Sequence, residues 1–321
     1  MNVFFTFDVE VWCNSWNSLD QDFPTSFDRY IFGRSAKGEY ALPKILDTLS
    51  KYDLKGVFFV EPLFAARFGV EYLAKIVTLI QSAGQEVQLH LHPEWTDEAR
   101  NALLEGVTSK RQHLTQYNLE EQRTLIQHGL RLLQEAGCNL PLVAFRAGSF
   151  SCNNDTFSAV AMNGLKFDSS INPQMETSQP SNIAPVYANP YEVFMHNGLT
   201  LIPMSSFYDG YGHHRHAQIG ACSAQEITQA LENAALKQWH TFVLIAHNFE
   251  LMVPKHNTPD FFVAQRFIHV CRFLDANRSI MPTVNFADVS TFPEPCNMPL
   301  PVVGKIATTR RYIEQALRRL L

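Results

Sequence analysis

No two of the six cysteines (Cys13, Cys138, Cys152, Cys222, Cys271, Cys296) stand at CxxC spacing. That argues against a zinc knuckle and gives no disulfide framework, so free thiols in a reducing compartment are expected. No apolar run is long enough to span a bilayer. The opening residues Met1 to Phe7 carry no basic n-region and meet Asp8 at once, so they do not read as a signal peptide. A cytoplasmic protein is therefore expected. Positive charge is not in excess either. The formal net charge is -5, which disfavours a nucleic-acid partner. No internal repeat and no clear linker divide the chain. What is present is 46% hydrophobic and 18% charged residues, too apolar for a disordered chain and suited to a packed core.

The apolar runs are short and end in polar groups. Val3 to Val9 reads as a buried strand that delivers Asp8 and Glu10, two apart and so on one face. Residues 11 to 40 read as a long loop whose aromatics, Trp12 and Trp16 among them, pack over a site. Helical spacing follows over 41 to 52, then a strand over 56 to 60 and a helix over 71 to 83. Alternation over 86 to 92 predicts a strand with Gln88, His90 and His92 on one face. Residues 96 to 117 are polar and give no element. A helix over 119 to 136 is stopped by Gly137.

A strand over 140 to 145 then hands on Arg146, and a helix is expected over 153 to 163. Asp168 lies near the end of a strand over 165 to 171. Residues 172 to 192 read as a loop, 200 to 204 as a strand, and 208 to 220 as a second loop carrying His213, His214 and His216. A helix over 224 to 238 precedes the buried strand 241 to 247, which ends in His247. A helix over 260 to 276 and a last strand over 280 to 285 complete the pattern. Strand and helix alternate at least six times, with polar residues at the strands' carboxyl ends. This predicts a parallel α/β barrel or open sheet with its site on that face. Residues 1 to 292 are expected to form one catalytic domain. Residues 293 to 321 read as a tether and a basic amphipathic helix. Docking of that helix on the body is the favoured expectation, and contact with the inner membrane face is the alternative.

Two carboxylates, three histidines and an arginine thus stand at the ends of four strands. In this order the chain resembles the polysaccharide deacetylases, the NodB-homology domain of carbohydrate esterase family 4. Thr6-Phe7-Asp8-Val9-Glu10 is similar to the first motif in a spaced-acid form. Glu86 to Pro93 resembles the histidine motif, with HxH in place of HxxxH. Phe145-Arg146-Ala147-Gly148-Ser149-Phe150 resembles the arginine motif, and Leu244-Ile245-Ala246-His247 the last.

The resemblance implies a distorted (β/α) barrel of about seven parallel strands. It implies that Glu10, His90 and His92 hold one divalent metal, zinc being the best suited. Asp8 would be the general base, Arg146 its ion-pair partner and His247 the general acid. Trp95, Trp12 and Phe150 would contact the sugar. The implied reaction is removal of an acetyl group from an N- or O-acetylated sugar of a polysaccharide or its cytoplasmic precursor. Two alternatives stay open: an amidohydrolase acting on a small cyclic amide or ureide, and a carbohydrate-binding protein without turnover. The oligomeric state is not readable from the sequence.

Overall fold

A computed structural model describes residues 1–107, 109–175, 191–254, 256–293 and 297–319. The first elements are β1 (Asn2–Val9), α1 (Leu19–Phe27), α2 (Leu42–Lys51), β2 (Val57–Val60) and α3 (Val70–Ser82). Then come β3 (Glu86–Leu91), α4 (Leu119–Glu135), β4 (Ala144–Ala147), α5 (Asn154–Met162) and β5 (Phe167–Asp168). The chain continues through β6 (Phe194–His196), β7 (Leu199–Leu201), β8 (Ser206–Tyr208) and β9 (His214–His216). It ends in α6 (Ala224–Leu236), β10 (Thr241–His247), α7 (Phe261–Ala276) and α8 (Lys305–Arg318). Within the two units described below, the strand orders are β10-β1 and β2-β3-β4-β5-β7-β6.

The chain divides into two compact units. The first comprises residues 1–56, 205–284 and 298–321. In it β1 runs parallel to β10, with Asn2 opposite Thr241 and Asp8 opposite His247. Alternation along β1 sends Phe5 and Phe7 against Phe267 of α7, at ring-centroid distances of 5.7 and 6.0 Å. Burying each such ring contributes about 1.5–3 kcal/mol. Thr6 and Asp8 take the opposite face of the strand. β8 and β9 form an antiparallel hairpin, Ser206 opposite His216. Asp209 shapes its turn by accepting the backbone N–H groups of Tyr211 and His213 at 2.9 and 3.0 Å. α6 carries a capping box in which Ser223 and Glu226 satisfy each other's backbone N–H.

The second unit comprises residues 57–204 and 285–297. Its strands β2, β3, β4, β5 and β7 pair in parallel, and β6 closes antiparallel on β7. The register puts His90 opposite Arg146 and Phe145 opposite Asp168. Gln88 accepts the N–H groups of Val143 and Ala144 at 2.8 and 2.7 Å, fastening the start of β4 to β3.

Several expectations need correction. Residues 11 to 40 are not one loop: they hold α1 and a π-helical turn over Asp28–Phe32. Pro24 inside α1 conceals that helix from a sequence pattern. The strand expected over 140 to 145 is Ala144–Ala147, so Arg146 lies within it. The one over 165 to 171 is reduced to Phe167–Asp168, because the side chains of Ser169 and Ser170 turn to bond Arg146 and Asp168. The loop over 208 to 220 contains β9. The strand over 280 to 285 is a single bridge, Val3 with Thr283, since neighbouring Pro282 has no N–H to extend a ladder. Most of the loop expected over 172 to 192 lies outside the described residues, as does part of the tether.

Candidate active site

In the first unit the register of β1 against β10 sets Asp8 beside His247. Asp8 and Glu10 are buried, and His247 is partly exposed. One ligand atom from each of Asp8, Glu10 and His247 lies within 4.8 Å of the others, a group able to hold a metal ion. Glu10 is fixed on both its backbone and its carboxylate. Asn248 accepts the Glu10 N–H at 3.1 Å and donates to its carbonyl at 3.2 Å. The Trp12 indole N–H donates to Glu10 Oε2 at 2.7 Å.

His247 is held from behind by an acid that the motif resemblance did not single out. Its Nδ1 lies 2.8 Å from Glu250 Oε1, so the ring N–H donates to that carboxylate. Glu250 also accepts Gln218 Nε2 at 2.5 Å and the Gly220 N–H at 2.9 Å. Gln218 in turn bonds His216 Nε2 at 2.9 Å, which draws in one of the histidines read as a loop residue. Burial pulls the His247 pKa down, but the Glu250 hydrogen bond and the carboxylates of Glu10, Glu250 and Asp8 outweigh it. The net result is a pKa raised to about 9, which keeps the imidazole protonated at neutral pH.

In the second unit His90 and His92 are both buried, with ring centroids 4.8 Å apart and planes nearly perpendicular. His90 Nδ1 lies 2.8 Å from the Arg146 carbonyl, and His92 Nδ1 lies 3.2 Å from Glu94 Oε2. Each contact fixes the N–H on Nδ1 and leaves the lone pair on Nε2, the state a metal-binding imidazole requires. Gly148 makes room for this. A Cβ there would lie 2.6 Å from His92 Nδ1, so only glycine lets the ring pack down. Ser149 and Phe150 follow with φ of +53° each, a strained pair of the kind found at functional sites.

Arg146 is fully buried. It donates to the Ser169 carbonyl and hydroxyl at 3.2 Å each, and its guanidinium lies 4.2 Å from the centre of the Phe59 ring. Asp168 is buried too. Desolvation raises its pKa to about 7, opposed by the Ser170 N–H and hydroxyl and by Arg146. Glu61 behaves similarly: burial raises its carboxyl to about 8, against the pull of His92 and the N–H groups of Leu63 and Phe64.

The structure thus brings Asp8, Glu10 and His247 together in one unit, and His90, His92 and Arg146 together in the other. Trp95 is a correction. It is 1% exposed and edge-packed against Phe64 and Phe68, so it offers no face to a sugar. Trp12 and Phe150 remain partly exposed. Sequence reasoning passed over Glu250, Glu94, Glu61 and Asn248. Glu250 and Glu94 carried a signal, each being an acid two or three residues after a motif histidine. Glu61 carried none.

No family model and no curated protein matches the sequence. Solved structures do. A Mycobacterium smegmatis protein designated a polysaccharide deacetylase superposes with a TM-score of 0.56 at 18% identity, covering 92% of this chain and 94% of that one. This likeness establishes the fold as α/β, the distorted (β/α) barrel that the motif resemblance implied. A family 4 carbohydrate esterase from Streptomyces lividans in complex with acetate matches at 14% identity with a TM-score of 0.42, over 88% and 91% of the two chains. The Bc1960 peptidoglycan N-acetylglucosamine deacetylase matches at 16% identity and 0.46, over 89% and 86%. Superposition as loose as in these last two adds nothing to the fold assignment. Among the described residues, no helix is long and apolar enough to cross a membrane.

Proposed function

We propose that the chain is a hydrolase that removes an acetyl group from an N- or O-acetylated sugar, with one divalent metal as cofactor. The observation that carries this reading is the two Nδ1-anchored imidazoles, His90 and His92. Glu10 is assigned as the third ligand, and a set of two imidazoles and a carboxylate suits zinc. A metal held there would polarise the acetyl carbonyl and make its bound water more acidic.

The remaining work falls to side chains. Asp8 accepts the proton of the attacking water; its buried carboxylate lies beside the protonated His247. Arg146 is assigned as its ion-pair partner, a fixed guanidinium whose aim is set by Ser169 and Phe59. His247 donates a proton to the leaving amine or alkoxide, and Glu250 holds the ring in the orientation that permits it. Trp12 steadies Glu10 and presents the rest of its ring, with Phe150, to the sugar.

The test is metal analysis beside an acetate-release screen over acetylated mono- and oligosaccharides. About one equivalent of transition metal is expected, lost in His90→Ala and Glu10→Ala, with turnover abolished by Asp8→Asn. Metal binding without acetate release from any sugar, but with ring opening of a cyclic ureide, would move the assignment to the amidohydrolase alternative. Sugar binding without turnover, unchanged in Asp8→Asn, would leave a binding protein.

A further inference from the structure

α8 is amphipathic the wrong way round for a helix that merely docks. Its buried face is Ala307, Thr308, Arg311 and Glu314. Arg311 Nη2 and Nε reach Asp209 Oδ2 at 2.7 Å and Glu226 Oε1 at 3.1 Å. Glu314 Oε2 accepts Arg266 Nε at 2.7 Å, and Arg318 Nε reaches Asp260 Oδ2 at 2.7 Å. The helix is thus attached within its unit by ion pairs. Its outward face carries Ile306, Ile313 and Leu317, 88%, 56% and 44% exposed, with Arg310 between them. Positions 306, 310, 313 and 317 recur at i, i+4, i+7 and i+11, a single stripe along the helix. Between α7 and α8 the stripe borders a groove of about 730 Å³, to which Phe261, 65% exposed, adds another apolar side chain.

The charges around this face are mostly positive, Glu314 being the acid that lines the groove and pairs with Arg310 at 2.9 Å. Arg272 and Lys305 line the groove with Arg310, and exposed Arg319 follows the end of the helix. This stands against a whole-chain charge of -5. We propose that the outward face of α8, with Phe261 of α7, docks on an anionic lipid bilayer. Apolar side chains flanked by lysine and arginine suit the boundary between headgroups and acyl chains. A second copy of the chain fits less well. Two-fold contact through this face would set its cations against their own equivalents. The acidic remainder of the molecule would be repelled by the same bilayer, which favours this face in the encounter.

The test is sedimentation of the full chain with vesicles of phosphatidylcholine, alone or in equal parts with phosphatidylglycerol. Binding is expected only with phosphatidylglycerol and is expected to weaken as salt is raised. An Ile306→Asp/Ile313→Asp double variant should bind at least about tenfold more weakly, its folding checked by circular dichroism. Arg272→Glu, on α7, supplies a second variant that leaves α8 untouched and should weaken binding in the same direction. Equal binding to both vesicle types, no binding to either, or undiminished binding by both variants would overturn the proposal. So would light scattering that shows a dimer which the double variant dissolves.

Discussion

Glu250 has the most specific consequence of any single residue. It donates no atom to the proposed reaction, yet its hydrogen bond and charge hold the His247 pKa near 9 against burial. The acid must be protonated to act, so turnover should fall as pH rises through that value. Glu250→Gln keeps the shape and removes the charge. The His247 pKa should drop toward its ordinary value of about 6.5. The alkaline limb of kcat should then move to lower pH, with a loss of about tenfold or more near pH 8. An unmoved limb in the pH–rate profile would leave Glu250 a purely structural role. Gly148 makes a second residue-scale prediction. Gly148→Ala puts a methyl group 2.6 Å from His92 Nδ1, so the ring must shift. Metal affinity should weaken about 10- to 100-fold, as for loss of an outer partner of a ligand, and a competitive chelator titration would measure it. The HxH spacing and the acid pair were legible because a strand's period of two places such groups on one face. Glu61 was not, because its carboxyl comes under the electrostatic influence of His92 only after β2 and β3 have paired.

At the scale of elements, the attachment of α8 is the clearest test. Arg311 is nearly inaccessible, and so are its partners Asp209 and Glu226. Arg311→Ala would take the guanidinium from two buried carboxylates, leaving Asp209 with His213 alone beside it. The expected loss is about 3–5 kcal/mol of stability, read from the midpoint of urea unfolding. Loss of under about 1 kcal/mol, the size of a surface pair, would show that the helix is held by other contacts. The helix was foreseeable from its charge and periodicity, but its orientation was not. A sequence shows which residues share a helical face and not which face turns inward. Here buried carboxylates on α6 and in the β8–β9 turn decide it. The long helices and buried strands were equally legible, since their apolar periods are strong. α1, β6 and the β8–β9 hairpin were not, being short and weakly patterned.

For the molecule as a whole, a bound metal should act on global stability. A metal that binds the folded chain and not the unfolded one adds about 2.7 kcal/mol at a free concentration of 100 Kd. Thermal melting in a chelator should therefore fall below that of the metal-loaded protein, and re-addition of zinc should restore it. His90→Ala should melt at the same temperature with and without metal. A zinc-dependent rise that persists in this variant would place the metal elsewhere.

What the sequence determined by itself was the alternation of strands and helices and the polar ends of the strands. Both are periodic and local, written in which side chains can share a face. It also set the chemistry available, since acids, imidazoles and a guanidinium stand at those ends. The tertiary structure decided which acids stand behind which histidines. It buried Trp95, where a sugar platform was expected, and turned the apolar side of α8 outward. These outcomes depend on strand register and on pairings between residues far apart in the chain, such as Arg311 with Asp209. Their energies come from desolvation and charge proximity, which exist only once the chain has closed on itself.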